Sequence, residues 1–179
     1  MIKRIAFTLA FLAAPIAAQE QSDAGQSYDS QLVVIETTMG DITVSIETER
    51  APITGGTQME PERVLAPIAH EPTSSTGLSH TDGALSMARY DPGTATGDFS
   101  IMIKDQTGLD ANPASSDPNL QLGFAVFGYV VDGMEVVHAI HAAPIDPDKG
   151  EGWMKGQLLA EPVEIIDMRR VEAASAPEG

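Results

Sequence analysis

The sequence of 179 residues contains no cysteine, which excludes several kinds of protein at once. Disulfide bonds, thiolate metal ligands and thiol nucleophiles are all impossible, so the fold has to rest on its hydrophobic core. A chain of this length allows one domain of ordinary size, large enough for such a core. Basic residues are scarce too: 10 Lys and Arg stand against 26 Asp and Glu, a net charge of −16. This charge repels nucleic acids and anionic membrane surfaces, so neither is expected as a partner.

Long apolar runs are also missing, apart from a short one at the N-terminus. Residues 1–18, MIKRIAFTLAFLAAPIAA, combine two basic residues, an apolar stretch and a small-residue end, which is the pattern of a secretory signal peptide. The run is too short to span a membrane. We expect cleavage near Ala18, and hence a periplasmic or secreted protein without membrane attachment. The remaining boundaries are predicted as a flexible leader (19–30), one domain (31–171) and a disordered tail (172–179).

Three short apolar segments in the middle of the chain have the pattern of strands between turns. They are residues 84–88, 99–103 and 124–131, and Gly, Pro, Asp and Asn bound them. The last segment leads through Asp132-Gly133 into MEVVHAI, where the apolar period changes from two to 3.6. This change predicts one short helix near residues 133–142.

The first half of the chain predicts a β-hairpin. Residues 32–37 are apolar, Gly40-Asp41 has the composition of a turn, and apolar and polar residues then alternate to position 47. This alternation predicts one buried face. A closing strand is predicted over residues 162–171, and Pro- and Gly-rich loops are predicted over residues 54–83, 105–122 and 143–156.

Three motifs follow one another in the central region: SMAR at 86–89, TATGDF at 94–99 and FAVFGYVVDGMEVV at 124–137. In this order and at these spacings they resemble the second half of a cyclophilin-type peptidyl-prolyl isomerase. The N-terminal part of a cyclophilin is resembled as well, by residues 32–52, LVVIETTMGDITVSIETERAP. The resemblance implies a mainly β fold, an antiparallel β-barrel, and an enzyme that isomerises Xaa-Pro bonds of exported polypeptides without a cofactor.

One part of the family pattern is missing. After the Ala-Pro pair a cyclophilin has a helix and two strands with Phe-x-Arg and Phe-x-x-Gln-Gly-Gly motifs, whereas here APIT (51–54) runs directly into Gly55-Gly56. We interpret Gly55-Gly56 as the remnant of the second motif. This loss should open the barrel and leave two sheet edges unpaired. Three outcomes are expected as alternatives: an incomplete, open six-stranded sheet, self-association of two chains through the open edges, or marginal stability.

Matched residue by residue, the resemblance implies a substrate groove in this sequence. Ala88 matches the small residue whose backbone flanks the bound peptide, and Phe99 matches the first of two adjacent aromatic residues. Ser100 stands where the second aromatic residue would form the pocket floor. Leu109 matches the pocket rim, and Phe124 matches the pocket wall.

Isomerisation requires a grip on the proline ring and stabilisation of the twisted amide, because the barrier of about 18–20 kcal/mol is the loss of amide resonance. The arginine that donates hydrogen bonds to the amide in this family has no match here, and Arg89 is the nearest substitute cation. Isomerase activity is therefore expected to be weak or lost. The alternatives are a non-catalytic module of the cell envelope that binds proline-containing polypeptides, and a shortened copy without a function of its own.

The four histidines do not predict a metal site. His138 and His141 are three residues apart, but His138 faces away from the apolar stripe of the predicted helix and His141 borders it. His70 and His80 have carboxylate neighbours in a predicted loop, and we interpret both as solvated loop residues.

Overall fold

The computed structural model describes residues 28–51 and 66–171, so the predicted signal peptide, the tail, Gly55-Gly56 and all but the end of the leader lie outside the described residues. The helices are α1 (Thr73–Thr76), α2 (Pro118–Leu122) and α3 (Met134–His141), with 3-10 turns at Thr107–Leu109 and Gly152–Met154. The strands are β1 (Ser30–Thr37), β2 (Gly40–Glu47), β3 (Ala84–Met87), β4 (Phe99–Ile101), β5 (Ala125–Asp132), β6 (Ile145–Asp146), β7 (Leu158–Leu159) and β8 (Ile165–Arg170).

Six of these strands form one antiparallel sheet that curls into a half-barrel. Their order is β4-β3-β5-β2-β1-β8, and β6 and β7 form a separate pair. The mainly β fold and its incomplete, open barrel are therefore confirmed. Within the described residues β4 and β8 are the two edges of the sheet.

The predicted hairpin is present, but its turn lies earlier than predicted. Thr37 pairs with Gly40, so Thr38 and Met39 form the turn, and the prediction of a turn at Gly40-Asp41 was wrong. Gly40 has a φ of 130° as the first residue of β2, a conformation that favours glycine. The glycine at this position therefore serves the start of β2 rather than the turn itself.

The buried face of the sheet is covered by α3. Ile42, Val44 and Ile46 alternate on β2 and are buried, as predicted. On α3, Val137 is buried and Val136 and Ile140 pack against the same core, whereas Glu135 and His138 are exposed. The helical period that begins after Gly133 is confirmed.

The predicted loops contain short regular elements. In α2, Pro118 stands at the first turn and the Asp117 carboxylate accepts a hydrogen bond of 2.8 Å from Asn119 N, which caps the helix. In α1, Gly77 ends the helix with a φ of 72°. None of the helices among the described residues is long and apolar enough to cross a membrane.

Both ends of the described domain are tied to the sheet. Asp29 and Glu49 are joined by two hydrogen bonds, from Asp29 N to Glu49 Oε2 at 2.9 Å and from Glu49 N to Asp29 O at 3.2 Å. β1 begins at Ser30, one residue inside the predicted leader. The predicted closing strand is present as β8, and the structure shows that it pairs antiparallel with β1.

Candidate substrate groove

Strand β4 directs Phe99 and Ser100, the positions of the two adjacent aromatic residues in the family, to opposite faces of the sheet. The Phe99 ring packs on the core side and meets Phe127 edge-on, with ring centroids 6.0 Å apart and an interplanar angle of 88°. Ser100 is exposed and pairs across the sheet with Ser86. The exposed face of β4 therefore carries a hydroxyl group where the resemblance implied an aromatic floor.

The predicted rim and wall residues, 15 positions apart in sequence, meet in the structure. Phe124 N donates a hydrogen bond of 3.0 Å to Leu109 O, and both side chains are half-buried. Ala88 directly follows β3 and is exposed, with its N–H donating to Asp98 O at 2.8 Å. Leu109 and Phe124 thus lie together, whereas Ala88 follows β3 and Ser100 lies on β4, the strand that pairs with β3.

Arg89 joins this group through Phe124. Its guanidinium carbon lies 4.8 Å from the centroid of the Phe124 ring, a cation–π geometry. Nη1 donates to Tyr90 O at 2.9 Å, and Nη2 donates to Gly123 O. The pKa of Arg89 is lowered, because the effect of burial exceeds the opposing effect of the nearby Asp91 carboxylate. Among the described residues Nε of Arg89 is a buried nitrogen without a hydrogen-bond partner.

His70 supports the same backbone segment as Arg89. Its Nε2 donates to Leu122 O at 3.1 Å, one residue before the carbonyl that Arg89 binds. Burial lowers the pKa of His70, the Leu122 carbonyl opposes this, and the positive charge of Arg89 lowers it further. His70 and Arg89 also line one small cleft together with Met87 and Ala95. Two side chains from the 66–98 region therefore hold the end of α2, which leads directly into Phe124.

A buried polar network lies on the face of β3 that carries Ser86. His80 is fully buried: Nδ1 lies 2.6 Å from Asp110 Oδ1 and Nε2 lies 2.8 Å from Ser86 Oγ. Asp110 also accepts hydrogen bonds from Ser79 Oγ and His80 N. Burial raises the pKa of Asp110, but these hydrogen bonds outweigh it and hold the pKa below its usual value.

The interpretation of His80 as a solvated loop residue was therefore wrong. Its partners are Asp110, 30 residues away, and Ser86, rather than Asp82, the nearby carboxylate in the sequence. The Asp–His–Ser order resembles a hydrolytic triad, but Ser86 is 5% exposed and its hydroxyl is covered. The network ties the segment after Leu109 to the strand that pairs with Ser100.

Within the described parts of the chain, no three His, Cys, Asp or Glu side chains converge on a point where a metal ion could bind.

Comparison with known families agrees with this arrangement of strands and loops. The family model of cyclophilin type peptidyl-prolyl cis-trans isomerases matches residues 55–169. The chain belongs to this family.

Two relatives named as peptidyl-prolyl cis-trans isomerases show how far the similarity extends. A peptidyl-prolyl cis-trans isomerase of Acinetobacter baylyi is 27% identical over 201 aligned residues, covering 94% of this chain and 96% of the relative. That alignment is longer than the chain itself, so the relative contains residues without a counterpart here. Peptidyl-prolyl cis-trans isomerase cyp18 of Streptomyces antibioticus is 39% identical over 93 residues, 51% of this chain and 53% of that protein.

Among solved structures, a cyclophilin-type peptidyl-prolyl cis-trans isomerase of Cryptosporidium parvum superposes with a TM-score of 0.60. The match covers 80% of this chain and all of the other, with 17% sequence identity. That crystal structure was determined in the presence of the dipeptide Ala-Pro. At this identity the likeness supports the cyclophilin fold alone.

Proposed function

We propose that the chain is an exported cyclophilin that binds proline-containing segments of other exported polypeptides and isomerises their Xaa-Pro bonds slowly. Binding takes place in the groove bounded by Ala88, Ser100, Leu109 and Phe124. Family membership supports the type of reaction, and the N-terminal sequence of residues 1–18 supports export to the periplasm or beyond. Neither a cofactor nor a covalent step is needed, because rotation about the amide bond makes and breaks no bond.

The hydrogen bonding of Arg89 supports slow rather than efficient catalysis. A catalytic donor has to be directed at the amide that twists and available to it. The terminal nitrogens of Arg89 instead bind backbone carbonyls of its own chain, at Tyr90 and Gly123. Its Nε–H is buried. We infer that Arg89 maintains the wall at Phe124 and contributes little to stabilisation of the twisted amide.

The second candidate, a non-catalytic peptide-binding module, is favoured by the same observation. If Arg89 contributes nothing to the reaction, the groove keeps its wall and rim but has no donor from this residue. The two functions differ in one property that can be measured, namely exchange between the cis and trans forms of a bound peptide.

NMR exchange spectroscopy of an Ala-Pro peptide distinguishes these functions, with the full chain expressed in a bacterium and purified in the form the cell leaves it. The proposal expects broadened peptide resonances together with cis–trans cross-peaks that require the protein. Broadening without cross-peaks identifies the binding module. Peptide resonances unchanged by millimolar protein would contradict both functions.

Ser100→Phe is expected to strengthen peptide binding about tenfold. The substitution provides an aromatic ring at the exposed position of β4, and burying a proline ring against it contributes about 1.5 kcal/mol, close to one factor of ten. A titration followed by peptide chemical shifts measures the change. Ser75→Phe, at an exposed position of α1, adds the same ring elsewhere and should leave the affinity unchanged. If the two variants changed the affinity equally, Ser100 would not be part of the groove.

Arg89→Ala is expected to weaken peptide binding and to slow exchange by the same factor. The substitution removes the stacking on Phe124 and the hydrogen bond to Gly123 O, so the wall loses its position. Lys155→Ala removes a positive charge from an exposed site and serves as the control. If exchange instead slowed by a hundredfold or more while the affinity stayed the same, Arg89 would be the donor to the twisted amide. Removal of one preorganised hydrogen-bond donor from an active site typically lowers the rate by ~10²–10³.

A further inference from the structure

Strand β8 leaves an apolar edge of the sheet exposed. All six of its residues are exposed, including Ile165 at 53%, Ile166 at 60% and Met168 at 42%. Met168 pairs with Ile35 of β1, which is 3% exposed, so the core-facing side of the sheet continues to β8, and no other described segment covers this last strand. Exposed edge strands of this kind promote pairing with another strand.

The hydrogen bonds to β1 determine which backbone groups of β8 point outward. Val171 N donates to Leu32 O at 2.8 Å, so Val171 bonds toward β1. Hydrogen-bonding direction alternates along an antiparallel strand, so Asp167 and Arg169 also bond toward β1, and the N–H and C=O of Met168 and Arg170 point outward. A second strand on this edge has to pair its own outward residues with these.

The charges of β8 select one register for pairing with a copy of itself. A two-fold pair centred on Asp167 places the two Asp167 carboxylates opposite each other, and centring on Arg169 or Arg170 places like arginines opposite each other. Centring on Met168 places Asp167 opposite Arg169 of the partner subunit, and it does so twice. Opposite charges in directly facing positions stabilise a strand pair, and like charges destabilise it.

We propose that two copies of the chain associate by antiparallel pairing of β8 with β8, centred on Met168. The sheet then continues through both copies, and the Met168 side chains meet on the side that carries Ile35. The register irregularity between β1 and β8 falls at Glu36 and Thr37, so the pairing uses the regular end of the strand. Arg169 is available for it, because its contacts at 3.5 Å to Glu36 and 4.0 Å to Asp41 are between exposed side chains.

This dimer leaves the substrate groove open. The groove residues lie at β3, β4 and the loops beside them, and β4 is the opposite edge of the sheet from β8. The dimer carries two separate grooves, and its formation does not depend on isomerase activity. Failure of the peptide-binding experiments therefore leaves the dimer untouched, and the reverse also holds.

Sedimentation velocity of the full chain over a concentration series is the first test. The wild-type protein is expected to shift from monomer to dimer as its concentration rises. Asp167→Arg places two pairs of like charges in the interface and should raise the dimer dissociation constant at least about tenfold. Adding Arg169→Asp exchanges the charges and should restore dimerisation. A wild-type protein that stays monomeric at millimolar concentration, or a double variant no better than the single one, overturns the proposal.

A cysteine substitution tests the register even if the charge variants fold poorly. Because the chain has no cysteine, Met168→Cys introduces one thiol. In the proposed register the two Cα atoms are about 5.5 Å apart, a separation that a disulfide bridges. Under mild oxidation this variant should form a covalent dimer at least ten times faster than Val131→Cys, which places a thiol at a 55% exposed position on an interior strand of the sheet. Equal rates for the two variants exclude the pairing.

Discussion

Substituting alanine for Asp110 is expected to lower the free energy of unfolding by about 3 kcal/mol. The carboxylate accepts hydrogen bonds from Ser79 Oγ, from His80 N at 2.9 Å and from the His80 ring at 2.6 Å. His80 is fully buried, so removal of the carboxylate takes away the acceptor of its buried Nδ1–H. Urea unfolding followed by circular dichroism measures the loss.

Asp105→Ala is a matched control for this prediction. Asp105 is exposed and accepts a hydrogen bond of 2.9 Å from Asp82 N, so it resembles Asp110 in chemistry but not in burial. Its removal should cost no more than about 1 kcal/mol, because water replaces the lost acceptor. Equal losses in the two variants would show that the buried network contributes nothing beyond an ordinary surface hydrogen bond.

The pH dependence of stability gives the same network a second signature. The pKa of Asp110 is lowered in the folded protein, so its carboxylate stabilises the fold at pH values above its ordinary pKa of about 3.9. This contribution is lost as the pH falls through that value toward the lower pKa of the folded state. The difference in stability between wild type and Asp110→Ala should therefore be constant near neutral pH and shrink in strong acid. A difference that grows below pH 4 would contradict this assignment.

Local features of the fold could be predicted because their causes are local. The alternation on β2 and the change of period after Gly133 depend on neighbouring residues, and both appear in the structure as expected. The turn at Thr38-Met39 was missed because Gly40-Asp41 has turn composition but uses it at the start of a strand. Helix α2 was missed: the Pro, Asp and Asn residues of 105–122 predicted a loop, although Asp117-Pro118 has the composition of a helix start.

The arrangement of the candidate site was harder to predict than these local features, because its residues come from distant segments of the chain. The resemblance suggested a wall at Phe124 and a rim at Leu109, and the structure joins them by a backbone hydrogen bond. No sequence pattern indicates that Arg89 stacks on Phe124, since this contact requires the loop after β3 to meet the end of α2. The pairing of His80 with Asp110 spans 30 residues, and no periodic pattern in the sequence predicts it.

The second large effect is expected at Gly128, in the FAVFG motif of β5. Gly128 pairs with Ile46, and a Cβ built on it would lie 2.5 Å from Ser45 O and 3.3 Å from Ile46 Cα. Backbone atoms of β2 cannot yield as a flexible side chain would, so Gly128→Ala has to push β2 and β5 apart near the centre of the sheet. We expect a loss of about 3 kcal/mol in the free energy of unfolding, the upper end of the usual cost of overpacking.

Gly108→Ala separates this steric effect from the general consequences of replacing glycine. A Cβ on Gly108 meets nothing within 4 Å, so this variant should be neutral, or more stable by up to about 1 kcal/mol because the unfolded chain loses freedom. Thermal unfolding of both variants measures the contrast.

β5 begins directly after Phe124, so displacement of this strand also moves the wall of the groove. Gly128→Ala should then weaken Ala-Pro binding at temperatures where the protein is still folded, whereas unchanged binding would mean that the wall is held by Arg89 and His70 without help from the strand.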